Sequence, residues 1–249
     1  MVVRRFGEGV ELVWLHGLGE WSVNFEPIAR HFAFGAYTHV LPDLPGYGRS
    51  PWTTGFSDDH NSLERLADRL AVWMAARPPA VVLGHSMGGV LATLVAERVE
   101  VRGVVNIEGN LSRGDCTFSA EAAAYSLDDF ADRGFALLKA RVYERGVNEA
   151  PLRGYHAALC AASPAVFHRH ARDLVALSET ETLAARLAAV PTRRLFVAGI
   201  PDGICARSHT LISQHDIALA PIERAGHWVF VDQPDAFAAV VAKFLGSLA

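Results

Sequence analysis

Residues Gly84-His85-Ser86-Met87-Gly88-Gly89 carry the strongest chemical signal in the chain. They hold the pattern G-x-S-x-G directly after an apolar run, Ala80–Leu83, and directly before a helix-like segment, Gly88–Glu97. In that context the serine sits on a sharp strand-to-helix turn, which lifts its Oγ clear of a sheet as a nucleophile. Glycines two residues to either side keep side chains from clashing across the turn. The helix that follows turns unpaired N–H groups and the positive end of its dipole toward developing negative charge. A glycine-rich connection without chemistry would need the same glycines, but the other motifs of the chain weigh against that reading.

Holding such a serine takes a sheet. Val10–Leu15, Thr38–Leu41, Ala80–Leu83 and Val101–Ile107 read as strands, short and apolar as in a parallel sheet covered on both faces. Between them, residues 62–74 place Leu63, Leu66, Leu70 and Trp73 three or four apart, on one face of a helix that Pro78-Pro79 stops. This alternation predicts an α/β fold, a mostly parallel central sheet flanked by helices. From residue 110 to 190 the strand pattern disappears. Ala-rich amphipathic stretches there carry Phe118, Tyr125, Phe130, Phe135, Tyr143, Tyr155 and Phe167. They predict a helical cap inserted at 110–190 into a core made of residues 1–109 and 191–249. The sheet pattern resumes at Arg194–Ala198 and Ile217–Pro221, and Asp235–Leu245 reads as a closing helix.

His16-Gly17-Leu18-Gly19, Asp43-Leu44-Pro45-Gly46-Tyr47-Gly48-Arg49-Ser50, Gly84–Gly89 and Gly226-His227-Trp228 follow one another in the order and approximate spacing of the α/β-hydrolase superfamily. The chain resembles that family over essentially its whole length. The resemblance implies Ser86 as nucleophile and His227, in the loop before the last helix, as general base. Imidazole titrates near neutrality, so it can take the serine proton and return it to the leaving group. The resemblance also implies an oxyanion hole made by the backbone N–H groups of Leu18 and Met87. His16 is expected to orient its loop through a hydrogen bond.

Two carboxylates compete for the acid that orients His227. Asp202, just after Arg194–Ala198, occupies the commoner family location. Glu108, just after Val101–Ile107, occupies the location that some members use. Both lie at the carboxyl ends of strands, where α/β sheets build their sites, and the sequence leaves both open. The implied activity is hydrolysis of a small carboxylic ester or related acyl bond through an acyl-enzyme on Ser86, with no metal and no cofactor. A cofactor-free perhydrolase, a C–C hydrolase or a ligand receptor of the same fold are the alternatives. Phe118, Tyr125, Phe130 and Tyr143 are expected to set acyl-chain preference.

The bulk numbers agree with one globular domain: 249 residues, 51% hydrophobic and 20% charged. The net charge is −4 with no Lys/Arg cluster, so no nucleic-acid partner is expected, only a small-molecule acyl substrate. Glu8 and Glu11 interrupt the apolar residues after Arg4 and Arg5, so neither a signal peptide nor a membrane span is read. Cys116, Cys160 and Cys205 are odd in number and lack a C-x-x-C spacing, which suggests a reducing, cytoplasmic setting. His168 and His170 flank Arg169; two residues apart on a helix, they do not face one another, and a solvated helix face is expected there rather than a metal site.

Overall fold

The computed structural model describes residues 1–52 and 61–248; residues 53–60 and 249 of the expected core range lie outside the described residues. Among the described residues, seven strands form one sheet: β1 (Val2–Phe6), β2 (Val10–Leu15), β3 (Tyr37–Asp43), β4 (Val81–His85), β5 (Gly103–Ile107), β6 (Arg194–Asp202) and β7 (Leu219–Gly226). Their spatial order is β1-β3-β2-β4-β5-β6-β7. β1 pairs antiparallel with β3, and the other pairs are parallel.

Along β2 the side chains alternate between two apolar clusters: Leu12 and Trp14 belong to one, Val13 and Leu15 to the other. β4 divides Val81 and Leu83 from Val82 in the same way. Both faces are therefore covered, as a parallel sheet requires. Helix α1 (Leu63–Ala75) starts at Ser62, whose hydroxyl accepts a hydrogen bond from the Arg65 N–H. It buries Leu63, Leu66, Leu70 and Met74. Trp73 lies at the margin of that face, with the Arg77 guanidinium 4.0 Å from its ring centre. Helix α2 (Met87–Ala96) is buried at every residue, as a helix that is apolar all round must be.

The sequence pattern misses β1, because Val2–Phe6 carries Arg4 and Arg5 on an edge strand that has no buried face to advertise. It also ends β6 and β7 too early. Gly199 and Pro201 interrupt β6, its register with β7 shifts at Ile200/Pro201, and β7 is mostly exposed, so period-2 alternation is lost there.

Between β5 and β6 the longer elements are helices: α3 (Phe118–Ala123), α4 (Phe135–Arg145), α5 (Ala150–Leu159), α6 (Pro164–Glu179) and α7 (Leu183–Ala189). Phe130, Phe135 and Phe167 from this segment share one apolar cluster with Leu18, Leu44 and Tyr47 from the sheet side. The helices are thus sealed onto the strand ends by a common core. Helices α8 (Ala206–Gln214) and α9 (Pro234–Gly246) complete the chain. Among the described residues, no helix is long and apolar enough to cross a membrane.

His168 and His170 correct the expectation of a solvated helix face. Both are buried. His168 Nε2 lies 2.9 Å from the Tyr125 carbonyl oxygen, and the Tyr47 hydroxyl donates to His170 Nδ1 at 2.8 Å. Burial holds the His170 pKa down at about 3. A buried neutral imidazole makes stability fall with acid: below pH 6.5 the unfolded chain takes up a proton that the folded chain refuses until about pH 3. His170→Gln should therefore flatten the pH dependence of the urea midpoint across that window. An unchanged slope would remove His170 as a cause of acid lability.

Candidate active site

Ser86 joins β4 to α2 with φ 53° and ψ −120°, a conformation that L-residues rarely adopt. It costs about 1–3 kcal/mol and persists only where the surroundings enforce it. Here they do. The Ser86 N–H donates to the Ile107 carbonyl at 2.9 Å, and the Gly89 N–H donates to the Ser86 carbonyl at 2.8 Å. A Cβ on Gly84 would fall 2.0 Å from the Gly88 carbonyl oxygen, and one on Gly88 would fall 2.0 Å from that of Leu15. Neither position tolerates a side chain.

The carboxyl end of β2 closes on the serine. A Cβ on Gly17 would reach within 3.2 Å of the Ser86 Cβ. Leu18 follows Gly17 in the wall of a cavity of about 30 Å³ that Ser86 and His227 also line. Met87 is the first residue of α2, where N–H groups have no partner inside the helix. His16 is buried; its Nδ1 lies 2.9 Å from the Gly17 carbonyl, and its Nε2 accepts the Leu44 N–H at 3.0 Å. That ring spends both nitrogens on backbone, and burial holds its pKa down.

His227 follows β7 directly, with about a third of its side chain exposed. Its Nδ1 lies 3.3 Å from Glu108 Oε2. Glu108 leaves β5 with φ 53° and its side chain fully enclosed. Its second oxygen accepts the Gly199 N–H at 2.6 Å. A Cβ at residue 203 would come within 2.3 Å of that oxygen, so Gly203 leaves room for the carboxylate. Asp202, the last residue of β6, is exposed. Of the two candidate acids, the structure brings Glu108 to His227 and leaves Asp202 on the wall of a neighbouring cleft of about 610 Å³.

The strand order, the strained serine turn, and a carboxylate and a histidine that meet from the ends of β5 and β7 across β6 together define a known architecture. Residues 12–240 match the profile of the alpha/beta hydrolase family. The chain belongs to that family. Among solved structures, an esterase from Thermogutta terrifontis superposes with a TM-score of 0.80 at 17% identity, covering 99% of this chain and 93% of that one. MenH from S. aureus superposes with a TM-score of 0.75 at 17% identity, covering 99% and 98%. Among curated sequences, a pimeloyl-[acyl-carrier protein] methyl ester esterase of Aeromonas salmonicida is 38% identical over 94 residues, 38% of this chain and 35% of that protein. The corresponding esterase of Klebsiella pneumoniae is 45% identical over 106 residues, 39% of this chain and 37% of that protein. The chain thus spans little more than a third of the length of these two relatives.

One group of this family member escaped sequence reasoning. Glu20 is 1% exposed, and its carboxylate collects donors from three segments that meet at the site. Oε2 accepts the Gly17 N–H at 2.7 Å and faces His85 Nδ1 at 3.0 Å, and Oε1 accepts the Trp228 indole N–H at 2.6 Å. The other nitrogen of His85 lies 2.8 Å from the His227 carbonyl oxygen. Burial alone would raise the Glu20 pKa, but the charge of His85 and the three donors bring it down to about 2. Burial likewise opposes protonation of His85, and Glu20 outweighs it, so the His85 pKa is raised. A glutamate in a loop beside Trp21 reads as solvated, and nothing in the local sequence marks it otherwise.

Proposed function

We propose that the protein is a serine esterase acting on short acyl groups. Ser86 is the nucleophile, His227 the general base and Glu108 the acid that orients it. The backbone N–H groups of Leu18 and Met87 receive the oxyanion. The observation that carries this reading is the His227–Glu108 contact at 3.3 Å, beside a strained serine turn that opens into the same cavity. Ser86 attacks the acyl carbon and its proton passes to His227 Nε2. His227 then protonates the departing alcohol, and water releases the acid by the reverse sequence. The ester hydrolysis named for the curated relatives and for the structural neighbour supports the reaction class.

The helical segment at 110–190 acts as a cap. The cavity beside Ser86 has room for little more than one or two water-sized groups, which fits a small acyl chain. The larger cleft beyond His227, reaching Asn148, Leu152 and Asp202, accepts the leaving alcohol. Phe118 lines both spaces. Tyr125 and Phe130 instead pack in the apolar cluster, and Tyr143 is 65% exposed. Phe118→Ala should shift relative kcat/KM toward longer acyl chains by about 1–3 kcal/mol, while Tyr143→Ala leaves the profile where it was. A Phe118→Ala profile identical to the parent's would place the acyl chain elsewhere.

The reading is tested by treating the protein with a fluorophosphonate and mapping the adduct. Labelling at Ser86 with loss of ester turnover is the expected result. Stoichiometric ester binding without product release, and no adduct, would make the protein a receptor instead.

A further inference from the structure

The Glu20 carboxylate lies outside the chemical steps above, yet it touches the residues on either side of them. His85 decides what it does. Both ring nitrogens of His85 face oxygens that only accept: Nδ1 faces the carboxylate, and Nε2 faces the His227 carbonyl. A neutral imidazole has one N–H and would leave one of these contacts as two acceptors pressed together. His85 is fully buried, so water cannot repair that mismatch. A proton on Glu20 Oε2 could also bridge the first contact, but the carboxylate already accepts the Gly17 and Trp228 N–H groups, which favours its charged form and leaves both protons on the ring.

We infer that Glu20 is a positioning residue: it holds His85 as a standing imidazolium and, through it, locks the oxyanion strand end, the serine turn and the base loop into one unit. The inference rests on the serine-esterase reading of the site. Gly17 precedes Leu18, His85 precedes Ser86, and Trp228 follows His227. One buried carboxylate thus reaches the chain neighbours of the oxyanion donor, the nucleophile and the base. The His85 and His227 rings lie 4.7 Å apart between centroids, tilted by 49°. The other ionisable groups that bear on His85 are Glu20, Glu108 and, more weakly, the neutral His16.

Substituting Glu20 with Gln removes the charge that holds the second proton on His85. Whichever way the amide turns, one contact of the cluster fails, because its NH₂ must face either the Gly17 N–H or the Trp228 indole N–H, and the tie between the strand end and the base loop weakens. On a short-chain ester, Glu20→Gln should lower kcat about 10- to 100-fold with KM nearly unchanged, since misplacement by about 1 Å is enough for such a loss. The variant loses the positive charge in ring contact with His227 together with the negative charge behind it, so the acid limb of the kcat/KM profile should no longer coincide with the parent's. A merely structural carboxylate would change the amount of folded protein and leave both readouts in place.

The first arm of the experiment needs no variant. The 11 histidines of the chain are labelled with ¹⁵N and followed by NMR. One ring should keep two protonated nitrogens at a pH where the ordinary histidines have already become neutral. In Glu20→Gln that signal should turn neutral. If no ring in the parent protein held its second proton beyond the pH at which the others lose theirs, the proposal would be overturned, whether or not the variant folds. So would a folded Glu20→Gln with parental kcat and pH profile. Failure of the serine mechanism itself is distinguishable, because it would show as turnover that survives Ser86→Ala and would leave the histidine spectrum unaltered.

Discussion

Ser86→Ala should lower kcat on a short-chain ester by about 10⁶-fold, the loss seen when a triad nucleophile is removed. The substitution is clean. Alanine keeps the Cβ that already fits against Gly17, and the strained φ of 53° is imposed by the Gly84 and Gly88 contacts rather than by the hydroxyl. The variant should therefore fold as the parent does and still bind substrate, with KM little changed. What it loses is the atom that forms the acyl bond. Ser119 also lines the cavity, but it sits within helix α3 rather than on a strained strand-to-helix turn. Ser112 and Ser208 bond to one another at 2.8 Å and Ser208 bonds to Asp115 at 2.6 Å, so these hydroxyls are engaged with acceptors. Circular dichroism would confirm the fold, and turnover measured beside it would read the chemistry. A folded variant that keeps turnover within about tenfold of the parent would remove Ser86 from the mechanism, because nothing else in a triad site supplies that factor.

The serine turn was legible in the sequence because steric necessity is local. Gly84 and Gly88 are glycines for reasons that lie within a few residues of Ser86, apart from the Leu15 carbonyl. The central strands were legible for a related reason: burial on both faces leaves short, continuous apolar runs in β2, β4 and β5. What stayed hidden depends on long-range contact. Glu20 meets His85 across 65 positions and Trp228 across 208, and no pattern near Glu20 announces that it will be enclosed. His168 and His170 were misjudged because their helix carries Arg169 and Arg172, so charge suggested solvent where the neighbouring segments supply Tyr125 and Tyr47. The residues expected to line the cavity differ from those that do for the opposite reason. Aromatic residues signal burial, but not which neighbour buries them, and of the four expected to shape the acyl site only Phe118 lines it.

The choice between Glu108 and Asp202 is of this long-range kind, and it gives the second large expected effect. Glu108→Gln should lower kcat by up to about 10⁴-fold, while Asp202→Asn stays within about threefold of the parent. The reasoning follows from both oxygens of Glu108. One accepts the Gly199 N–H at 2.6 Å, and this backbone donor will claim the amide oxygen of a glutamine. The amide NH₂ is then left facing His227 Nδ1 across a gap that measures 3.3 Å in the parent. Two donors cannot share that contact, so Nδ1 must give up its proton and become the acceptor. The proton moves to Nε2, on the side that must receive the proton of Ser86, and the base is disabled in its resting state. The imidazolium also loses the negative charge that stabilises it during attack. Asp202 is exposed to solvent, and its change to Asn alters neither tautomer nor packing around His227. Glu108→Asp separates charge from reach: it keeps the carboxylate but shortens it by one methylene beside the space that Gly203 leaves open, and an intermediate loss is expected. If Asp202→Asn proved the crippling change and Glu108→Gln the mild one, the acid would have been assigned to the wrong strand. If neither lost more than about tenfold, catalysis would run on a Ser86–His227 dyad.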